Sequence, residues 1–494
     1  MRTLRPISIL LLSVFLPSGL EARQDCAIIE ASITESMPDS VFTADRIAAY
    51  TAFESGALDS LSVVGDILKI DVFSRPDPLN PVDTALEPSA RWYSFMLSGV
   101  KGREVLLNFN GSEAVRPFYS YDGKAYRRFS ACESIGCDRV LKRFSEDSVY
   151  IAYFIPYTYS YLLGRLEHWS ESSRVSVSSA GKSTLGNDMP LLVITDAAVP
   201  DSLKKIVYMH GRTHTSEAPC SWHLDAVIER LAFGEDPLAA ALRCSTVFYI
   251  VPFANPDGVI RGLSRSNVTG VNQEINWDRP DLLTSVEVAN LKSLLEGIME
   301  RHGRIDMALN MHSQVEDYAT YWVHTAESTS ERFFSEQMRL ARLTMYGNPY
   351  FKPDDLEFSD LAPRYVEGWL WKRCGEDCLA ITFETPYTYY SENPDGEWVS
   401  LENLSVFADH TVQAIGDFFH VSVPGRLLFP LENKRRSKIV ARNLPEGRYS
   451  VSLLEKDGCG GWIDAGTVEA GKSGKVSVRF DGRKYVSVKL ELTD

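Results

Sequence analysis

The chain has 494 residues, of which 44% are hydrophobic and 24% are charged. This is an ordinary globular balance, and the length is sufficient for roughly two to four domains. The net charge of -15 argues against nucleic acid as the main partner. It does not exclude a local basic site, because net charge describes the whole molecule.

The first residues, 1–22, are predicted to be an export signal. Arg2 and Arg5 form a positive region, and residues 7–16 form an apolar core that is too short to span a bilayer. Residues 20–22 provide a plausible cleavage site. The alternative is a buried first strand or helix, but the order of charge and apolar residues favours export. No later segment is long and apolar enough for stable membrane insertion, so we expect a periplasmic or secreted protein.

The cysteine content fits that compartment. Eight cysteines are present, and an even number permits pairing outside the cytosol. Cys374 and Cys378 are close enough in sequence to bridge, as are Cys132 and Cys137. A zinc site of four cysteines is the alternative, but the sequence contains no CxxC spacing, which counts against it.

Residues 23–162 and 423–494 are both predicted to be β domains. In the first, aromatic and β-branched runs such as RWYSFMLSGV and EVLLNFNG are broken by turn residues, which suggests an antiparallel sandwich. In the second, apolar residues alternate along 476–480 and again along 486–492, with a turn at Asp481-Gly482.

Residues 163–422 are predicted to form an α/β domain with a largely parallel central sheet. Short apolar runs (MPLLVIT, KIVYM, VFYIVPF, MALNMH, LAITFET) alternate with helical stretches. One helix shows a capping-box spacing from Thr284 to Glu287. Ligands of open α/β sheets bind beyond the carboxyl ends of the strands, so the polar residues that follow these runs are expected to share one rim.

Several residues capable of chemistry lie at that rim. His214 and Glu217 follow KIVYM three residues apart, and His312 follows MALNM. Catalytic zinc sites use three such protein ligands and keep one position open for water. A lone HxxE is weak evidence, because Glu217 would also suit a solvated helix N-terminus. His210 is better explained by packing near the strand end.

Four motifs in order resemble the zinc metallocarboxypeptidase family M14, and most closely its cytosolic carboxypeptidase branch. GRTHTSEAPCSW is similar to the first zinc motif, NPDGVIRGLSR to the NPDGV segment with its downstream Arg, MHSQ to the segment of the last His ligand, and ITFET to the segment of the catalytic Glu. The stretches RWYSFML and VYIAYFIPYTYSYL are similar to the β-sandwich that precedes the catalytic domain. The resemblance covers roughly residues 90 to 415, and with an export signal it suggests a bacterial periplasmic relative.

The resemblance implies a zinc carboxypeptidase-like α/β/α domain with a mixed central sheet and one zinc ion per chain. His214, Glu217 and His312 would ligate the zinc, and Glu384 would act as general base and then acid. Arg265 would stabilise the developing oxyanion, whereas a surface ion pair is its alternative role. Tyr365 would be the tyrosine that the family carries on a loop.

The segment GVNQEINWDRP departs from the family pattern, which usually reads like GVDLNRNW. Asn276 aligns with the family's Asn, and Trp277 then occupies the position of the Arg that grips the substrate's terminal carboxylate. Trp cannot make that bidentate contact. Asn276 and Arg279 are therefore the predicted substrate-binding residues, and a substrate without a free carboxylate is the alternative.

Taken together, the sequence predicts an exported zinc metallocarboxypeptidase that hydrolyses a C-terminal peptide bond, with a peptide or acyl-amino acid as substrate. Two alternatives stay open. One is a zinc amidohydrolase that cuts a non-peptide or cell-wall amide, and the other is a catalytically inactive binding module on the same fold. The intact set of His214, Glu217, His312 and Glu384 argues against the inactive module.

Overall fold

The computed structural model describes residues 41–44, 47–64, 68–80, 87–110, 116–136, 138–390, 396–431, 434–435, 437–456 and 461–493. The predicted export signal lies outside these residues, as does Cys137 of the suggested Cys132–Cys137 pair. Cys374 and Cys378 carry free thiols. In the described part of the chain no helix combines the length and apolar character that a bilayer crossing needs.

Short strands form the N-terminal part, as predicted. They are β1 (Val41–Ala44), β2 (Ile47–Tyr50), β3 (Ser60–Val64), β4 (Leu68–Phe73), β5 (Ser94–Ser98), β6 (Glu104–Asn110), β7 (Phe118–Ser120), β8 (Arg127–Arg128), β9 (Ser134–Ile135), β10 (Arg139–Arg143) and β11 (Ser148–Ala152). Over the described ranges they form two sheets, in the orders β1-β2-β5-β11-β7-β8 and β3-β4-β6-β10-β9.

The two N-terminal sheets share one core. Along β6 the burial alternates, so that Val105, Leu107 and Phe109 point inward, and they join Phe95 and Leu97 of β5 in the same apolar cluster. One pair departs from the predicted antiparallel arrangement, because β4 and β6 run parallel. Alternation along a strand specifies its buried face but not the direction of its neighbour.

The α/β part follows. Its elements are α1 (Tyr159–Ser170), β12 (Val175–Lys182), β13 (Asp188–Ile194), β14 (Lys205–Gly211), α2 (Ala218–Phe233), α3 (Pro237–Ser245), β15 (Thr246–Val251), α4 (Pro256–Ile260), α5 (Val286–His302), β16 (Met307–Gln314), β17 (Thr320–His324), α6 (Glu331–Met345), β18 (Glu357–Ser359), α7 (Val366–Cys374), β19 (Leu379–Pro386) and α8 (Leu401–Phe418). Their strands form one sheet, in the order β12-β13-β15-β14-β16-β19-β17-β18.

This central sheet is mixed and is covered by helices on both faces, which confirms the predicted fold. The strands β15, β14, β16 and β19 run parallel in its centre, whereas β12, β13 and β17 pair antiparallel. Along β14, Val207 and Met209 pack into one apolar cluster with α2 and α8. The alternate residues Ile206 and Tyr208 pack into another with α5 and α7. A strand buried on both faces reads as a continuous apolar run, as KIVYM does.

Helix α5 begins one residue later than the predicted capping box implies. Its N-cap is Ser285, whose side chain accepts a hydrogen bond from Val288 N. Thr284 instead donates to the carbonyl of Asn276. Glu287 is buried and accepts from Thr184 and Gln273, so this carboxylate belongs to a tertiary network and not to a cap.

The C-terminal part is again made of strands. They are β20 (Arg426–Pro430), β21 (Ser437–Ala441), β22 (Gly447–Glu455), β23 (Trp462–Ala470), β24 (Val476–Phe480) and β25 (Tyr485–Leu492). β24 and β25 flank the predicted turn but do not pair with each other. β24 pairs with β21, and β25 lies between β20 and β22. The domain boundaries at 162 and 422 stay predictions.

Candidate active site

The loop between β14 and α2 carries the first two candidate ligands and is held by a buried arginine. Arg212 has a positive φ of 60°, and its guanidinium donates to the carbonyls of Thr215 and Tyr157 and to the Ser221 hydroxyl. A non-glycine residue with positive φ is uncommon and marks a constrained site. Here the constraint turns the chain so that His214 and Glu217 face the end of β16.

Glu217 lies between two histidines. Its Oε1 is 2.8 Å from His214 Nδ1, and its Oε2 is 2.8 Å from His312 Nδ1. The backbone N–H of Ser313 also donates to Oε2, at 3.0 Å. Burial alone would raise the pKa of this carboxyl, but the two imidazoles beside it hold that pKa well below its usual range. Glu217 is therefore an anion fixed against both Nδ1 atoms.

A second carboxylate, Glu274, approaches the same histidines from their other side. Its Oε2 lies 3.1 Å from His214 Nε2 and 3.2 Å from Arg265 Nη2, and its Oε1 lies 3.8 Å from His312 Nε2. Burial opposes the protonation of His312, yet the Glu217 and Glu274 carboxylates raise the pKa of His312 to about 10. The histidine pair is thus enclosed by negative charge.

These donors fit a zinc site. Two histidines and one carboxylate are a ligand set of catalytic zinc, and both Nδ1 atoms converge on one buried carboxylate. His214, Glu274 and His312 also offer one ligand atom each within 4.8 Å of one another, so each face of the histidine pair carries a carboxylate. The Nδ1 face has the closer contacts, because both oxygens of Glu217 are at 2.8 Å. His312 Nε2 is buried and makes no hydrogen bond to any described residue.

Glu384 stands next to this cluster. It lies on β19 directly opposite His312 of β16, and Trp322 Nε1 donates to its Oε1 at 2.8 Å. Burial and the neighbouring charge of Glu217 raise the pKa of Glu384 to about 7. A carboxylate whose pKa lies near neutrality can both accept and release a proton at physiological pH.

A cavity of about 490 Å³ opens over these residues. This volume lies within the usual range for small-ligand sites. Its walls come from the N-terminal sandwich, from the loops after β14 and β15, and from the β16–β19 region. The lining residues are Arg91, His214, Glu217, Arg265, Glu274, Ser313, Gln314, Val315, Trp322, His324, Ser359, Asp360, Ala362, Arg364, Tyr365, Glu367, Thr382 and Glu384.

The structure brings most of the predicted site residues together. His214, Glu217, Arg265 and Glu384 line the cavity, and His312 contacts Glu217 behind its wall. Tyr365 also lines the cavity.

Asn276 and Arg279 are not among the described residues that line the cavity. Asn276 is buried, and its side-chain amide donates to the carbonyl of Asn272. The carbonyl of Arg279 accepts a hydrogen bond from Lys292. Trp277 is 2% exposed and packs against Trp369 and His210, so its side chain belongs to the core.

Sequence reasoning missed several cavity residues, among them Glu274, Arg91, Arg364 and Trp322. Glu274 lies in the segment NQEINW, two residues before the predicted Asn276. Its charge was the available signal, because an acidic residue two positions past Asn272 interrupts an otherwise uncharged stretch. Arg91 and Arg364 belong to segments with no motif, and only tertiary packing brings them to the cavity.

Comparisons with known proteins agree with this geometry. The family model described as zinc carboxypeptidase, Peptidase M14, matches residues 166–377. Cytosolic carboxypeptidase 6 of Mus musculus is 28% identical over 282 residues, which are 49% of this chain and 48% of that protein. Cytosolic carboxypeptidase 1 of Danio rerio is 32% identical over 165 residues, which are 31% of this chain and 14% of that protein. The chain thus spans about half or less of the length of these relatives.

Solved structures share the fold. A metallo-carboxypeptidase from Burkholderia cenocepacia superposes with a TM-score of 0.65 at 23% identity, over 76% of this chain and 99% of that chain. A metallo-carboxypeptidase from Pseudomonas aeruginosa, solved in complex with (2-guanidinoethylmercapto)succinic acid, gives 0.60 at 22% identity, over 74% and 97%. The resemblance inferred from the motifs is confirmed. Residues 166–377 thus match the zinc carboxypeptidase domain of peptidase family M14 in sequence and share its fold.

Proposed function

We propose that the protein is a zinc-dependent carboxypeptidase that hydrolyses the last peptide bond of a peptide or acyl-amino acid. The observation that supports this most strongly is the placement of Glu384 against the His214–Glu217–His312 cluster in one cavity. A general base next to a site that fits zinc is the minimal machinery for hydrolysis of an amide.

In this proposal His214, Glu217 and His312 hold the metal. Zinc in such a site supplies Lewis-acid chemistry, which activates water and polarises a carbonyl. Asn272 Oδ1 then accepts the Nε2–H of His214, beside the Glu274 carboxylate at the same 3.1 Å, which fixes the tautomer that leaves Nδ1 free as a ligand. The Nε2 atom of His214 is thereby used for orientation.

Glu384 and Arg265 act on the substrate. The Glu384 carboxylate takes a proton from the attacking water and passes it to the leaving amine, while Trp322 fixes its Oε1. Arg265 carries a fixed positive charge within 3.2 Å of Glu274, close to the histidine cluster. A charge placed there in advance stabilises the negative charge that develops on the carbonyl oxygen.

Glu384→Gln tests this function. The variant should keep its fold and its zinc but lose activity by at least about 100-fold, because Gln is nearly isosteric and cannot accept the proton. Zinc content by elemental analysis and kcat on a C-terminally free peptide are the two measurements. A variant with wild-type kcat would assign the base to another residue.

A cation is also needed to meet the free carboxylate of the substrate, because an unpaired charge in a closed site is costly. Arg279 was predicted for this role, but it lies outside the cavity lining. Arg364 is the better candidate. Its Nη2 donates to the Tyr365 hydroxyl at 3.1 Å, both side chains line the cavity, and its carbonyl accepts from Trp277 N.

Matched peptides with an acid or an amide end test the carboxylate site. We expect the wild type to prefer the acid, and Arg364→Ala to lose most of that preference in kcat/KM. Arg279→Ala is the control and should keep it. Equal cleavage of acid and amide by the wild type would instead support the amidohydrolase alternative.

We also propose that the protein is exported. The proposal is supported by the arrangement of Arg2, Arg5 and the apolar residues 7–16. Expression of the full chain in a bacterial host, followed by fractionation and N-terminal sequencing, tests it. Periplasmic protein that begins near residue 23 is expected, and cytoplasmic protein with an intact N-terminus would contradict the proposal.

A further inference from the structure

The loop that carries Arg265 is enclosed by the N-terminal sandwich. We call residues 261–270 the arginine loop. It leaves α4 and leads to Glu274, so it forms one side of the cavity. Its backbone carbonyls at residues 263, 264 and 266 accept hydrogen bonds from Thr215, Ser216 and Asn255 of the α/β part. Its other face is contacted by residues 55–57, 74–79 and 91–92, far away in sequence.

Asp77 makes the central contact. Its Oδ1 accepts the backbone N–H of Ser264 at 2.7 Å, and its Oδ2 accepts those of Arg265 at 2.7 Å and Ser266 at 2.8 Å. Asp77 is 5% exposed. Three consecutive amides that converge on one buried carboxylate form an anion-binding concavity, and charged acceptors make the stronger hydrogen bonds.

Further contacts hold the two sides of the arginine loop. The Ser264 hydroxyl accepts the backbone N–H groups of Arg91 and Trp92, both at 2.9 Å. Arg75 donates to the carbonyl of Arg261. Gly262 has a φ of 62°, and a Cβ there would lie 2.8 Å from the carbonyl oxygen of Ser55. These contacts therefore fix the position of the arginine loop against the N-terminal sandwich.

The geometry points to Asp77 as a positioning residue for Arg265: by binding the amides of residues 264–266 it sets the point from which the Arg265 guanidinium reaches the zinc site. The N-terminal sandwich then completes the active site. The inference rests on the proposed role of Arg265 in the hydrolysis. The hydrogen bonds between the Asp77 carboxylate and the backbone amides of residues 264–266 do not depend on that role.

The test uses the full-length, zinc-loaded protein and the variant Asp77→Asn, which keeps the shape of the side chain and removes its charge. Hydrogen exchange of a peptide that covers residues 261–270 should become at least about tenfold faster, because the three amides lose their charged acceptor and the Asn side chain keeps only one accepting oxygen. Zinc content should stay at one ion per chain. An unchanged exchange rate would show that Asp77 does not hold the amides of residues 264–266, and it would overturn the proposal.

Activity then tests positioning. Removal of one group that stabilises the developing charge costs about 100- to 1,000-fold in kcat, which is the loss expected for Arg265→Ala. Asp77→Asn should lower kcat at least about tenfold, with little change in KM. In the Arg265→Ala background the same substitution should cost less than about twofold, because the two residues act through one interaction. A loss that is equal in both backgrounds would overturn the proposal.

Two further variants complete the design. Asp71→Asn removes another carboxylate of the sandwich, which binds Asn108 and Lys69, and it should leave kcat within about twofold. If Asp77→Asn does not fold, Ser264→Ala gives a coupling test at a neighbouring contact, because it removes the hydroxyl that accepts the Arg91 and Trp92 N–H groups and keeps the backbone N–H that Asp77 binds. Wild-type activity in Arg265→Ala would contradict the proposed function and leave the exchange result standing, so the two failures are distinguishable.

Discussion

At the residue scale, the histidine pair has a carboxylate on each face, and the two carboxylates have different surroundings. Glu217 contacts both Nδ1 atoms and a backbone amide. Glu274 contacts Nε2 of His214 and the guanidinium of Arg265. The first arrangement suits a metal ligand, and the second suits a group that orients ligands.

This difference predicts the outcome of two matched substitutions. Glu217→Gln should lose nearly all bound zinc, because three ligands leave none to spare. Glu274→Gln should keep zinc but bind it about 10- to 100-fold more weakly, the usual effect of an outer partner. Competition with a chelator measures both affinities, and His312→Ala is the control without metal. The reverse order of the two variants would place the metal on the Nε2 face.

The sequence was sufficient for the residues at strand ends. His214, Glu217 and His312 follow or end parallel strands that read as apolar runs, and Glu384 lies within the last of them. The rule that these ends share one edge therefore places them together. It could not place Glu274, Arg91 or Arg364, because their positions depend on how loops and a separate sheet pack against that edge. The alignment of Trp277 with an arginine was also insufficient, since burial decides the role of that side chain.

At the element scale, the segment 272–277 runs along the cavity with its two ends in different environments. Glu274 faces the histidines, whereas Trp277 lies in the apolar cluster with Trp369 of α7. The backbone N–H of Trp277 donates to the carbonyl of Arg364. This segment therefore joins the wall of the active site to the helical layer.

Trp277 is accordingly expected to act on stability. Trp277→Ala should lower the free energy of unfolding by about 3–5 kcal/mol, because a large cavity remains in the core. Trp277→Phe should cost less and should leave the acid-to-amide preference unchanged. Chemical denaturation and the matched peptides measure the two effects. A changed preference in the Phe variant would make Trp277 a substrate-binding residue.

In the C-terminal part, the sequence predicts individual strands but not how those strands pair. Alternation along residues 476–480 and 486–492 correctly predicted β24 and β25. Their partners are β21, β20 and β22, so the turn between them is not a hairpin. Side-chain alternation fixes which face of a strand is buried, and pairing is decided by the rest of the sheet.

At the scale of the whole molecule, a buried carboxylate contributes to the contact between the C-terminal strands and the α/β part, beside the hydrogen bonds that Arg342 and His420 make to those strands. Asp417, near the end of α8, accepts two hydrogen bonds from Arg426 at 2.6 and 2.7 Å and one from Trp462 Nε1 at 3.1 Å. Arg426 begins β20, and Trp462 begins β23. A single side chain thus holds two C-terminal strands against the helix.

Removal of that carboxylate should be costly. Asp417→Ala leaves the largely buried Arg426 side chain without its main partner and Trp462 Nε1 without its acceptor. Loss of one partner of a buried ion pair typically costs about 3–5 kcal/mol, so the denaturation midpoint should fall clearly. Glu491→Ala, which removes the half-exposed second partner of Arg426 at 3.5 Å, should cost less than about 1 kcal/mol. Similar midpoints for the two variants would show that Asp417 does not hold the domains together.

The contact between Asp77 and Ser264 joins residues that lie 187 positions apart in the chain. Contacts of such separation form late in folding, because a long stretch of chain must first be ordered. If Asp77 sets the position of Arg265, the peptidase gains its full catalytic power only after this closure. On the proposed function, a newly made chain would then hydrolyse peptides poorly until Asp77 and Ser264 have met, so that catalytic power would report the completed packing of the N-terminal sandwich on the α/β part.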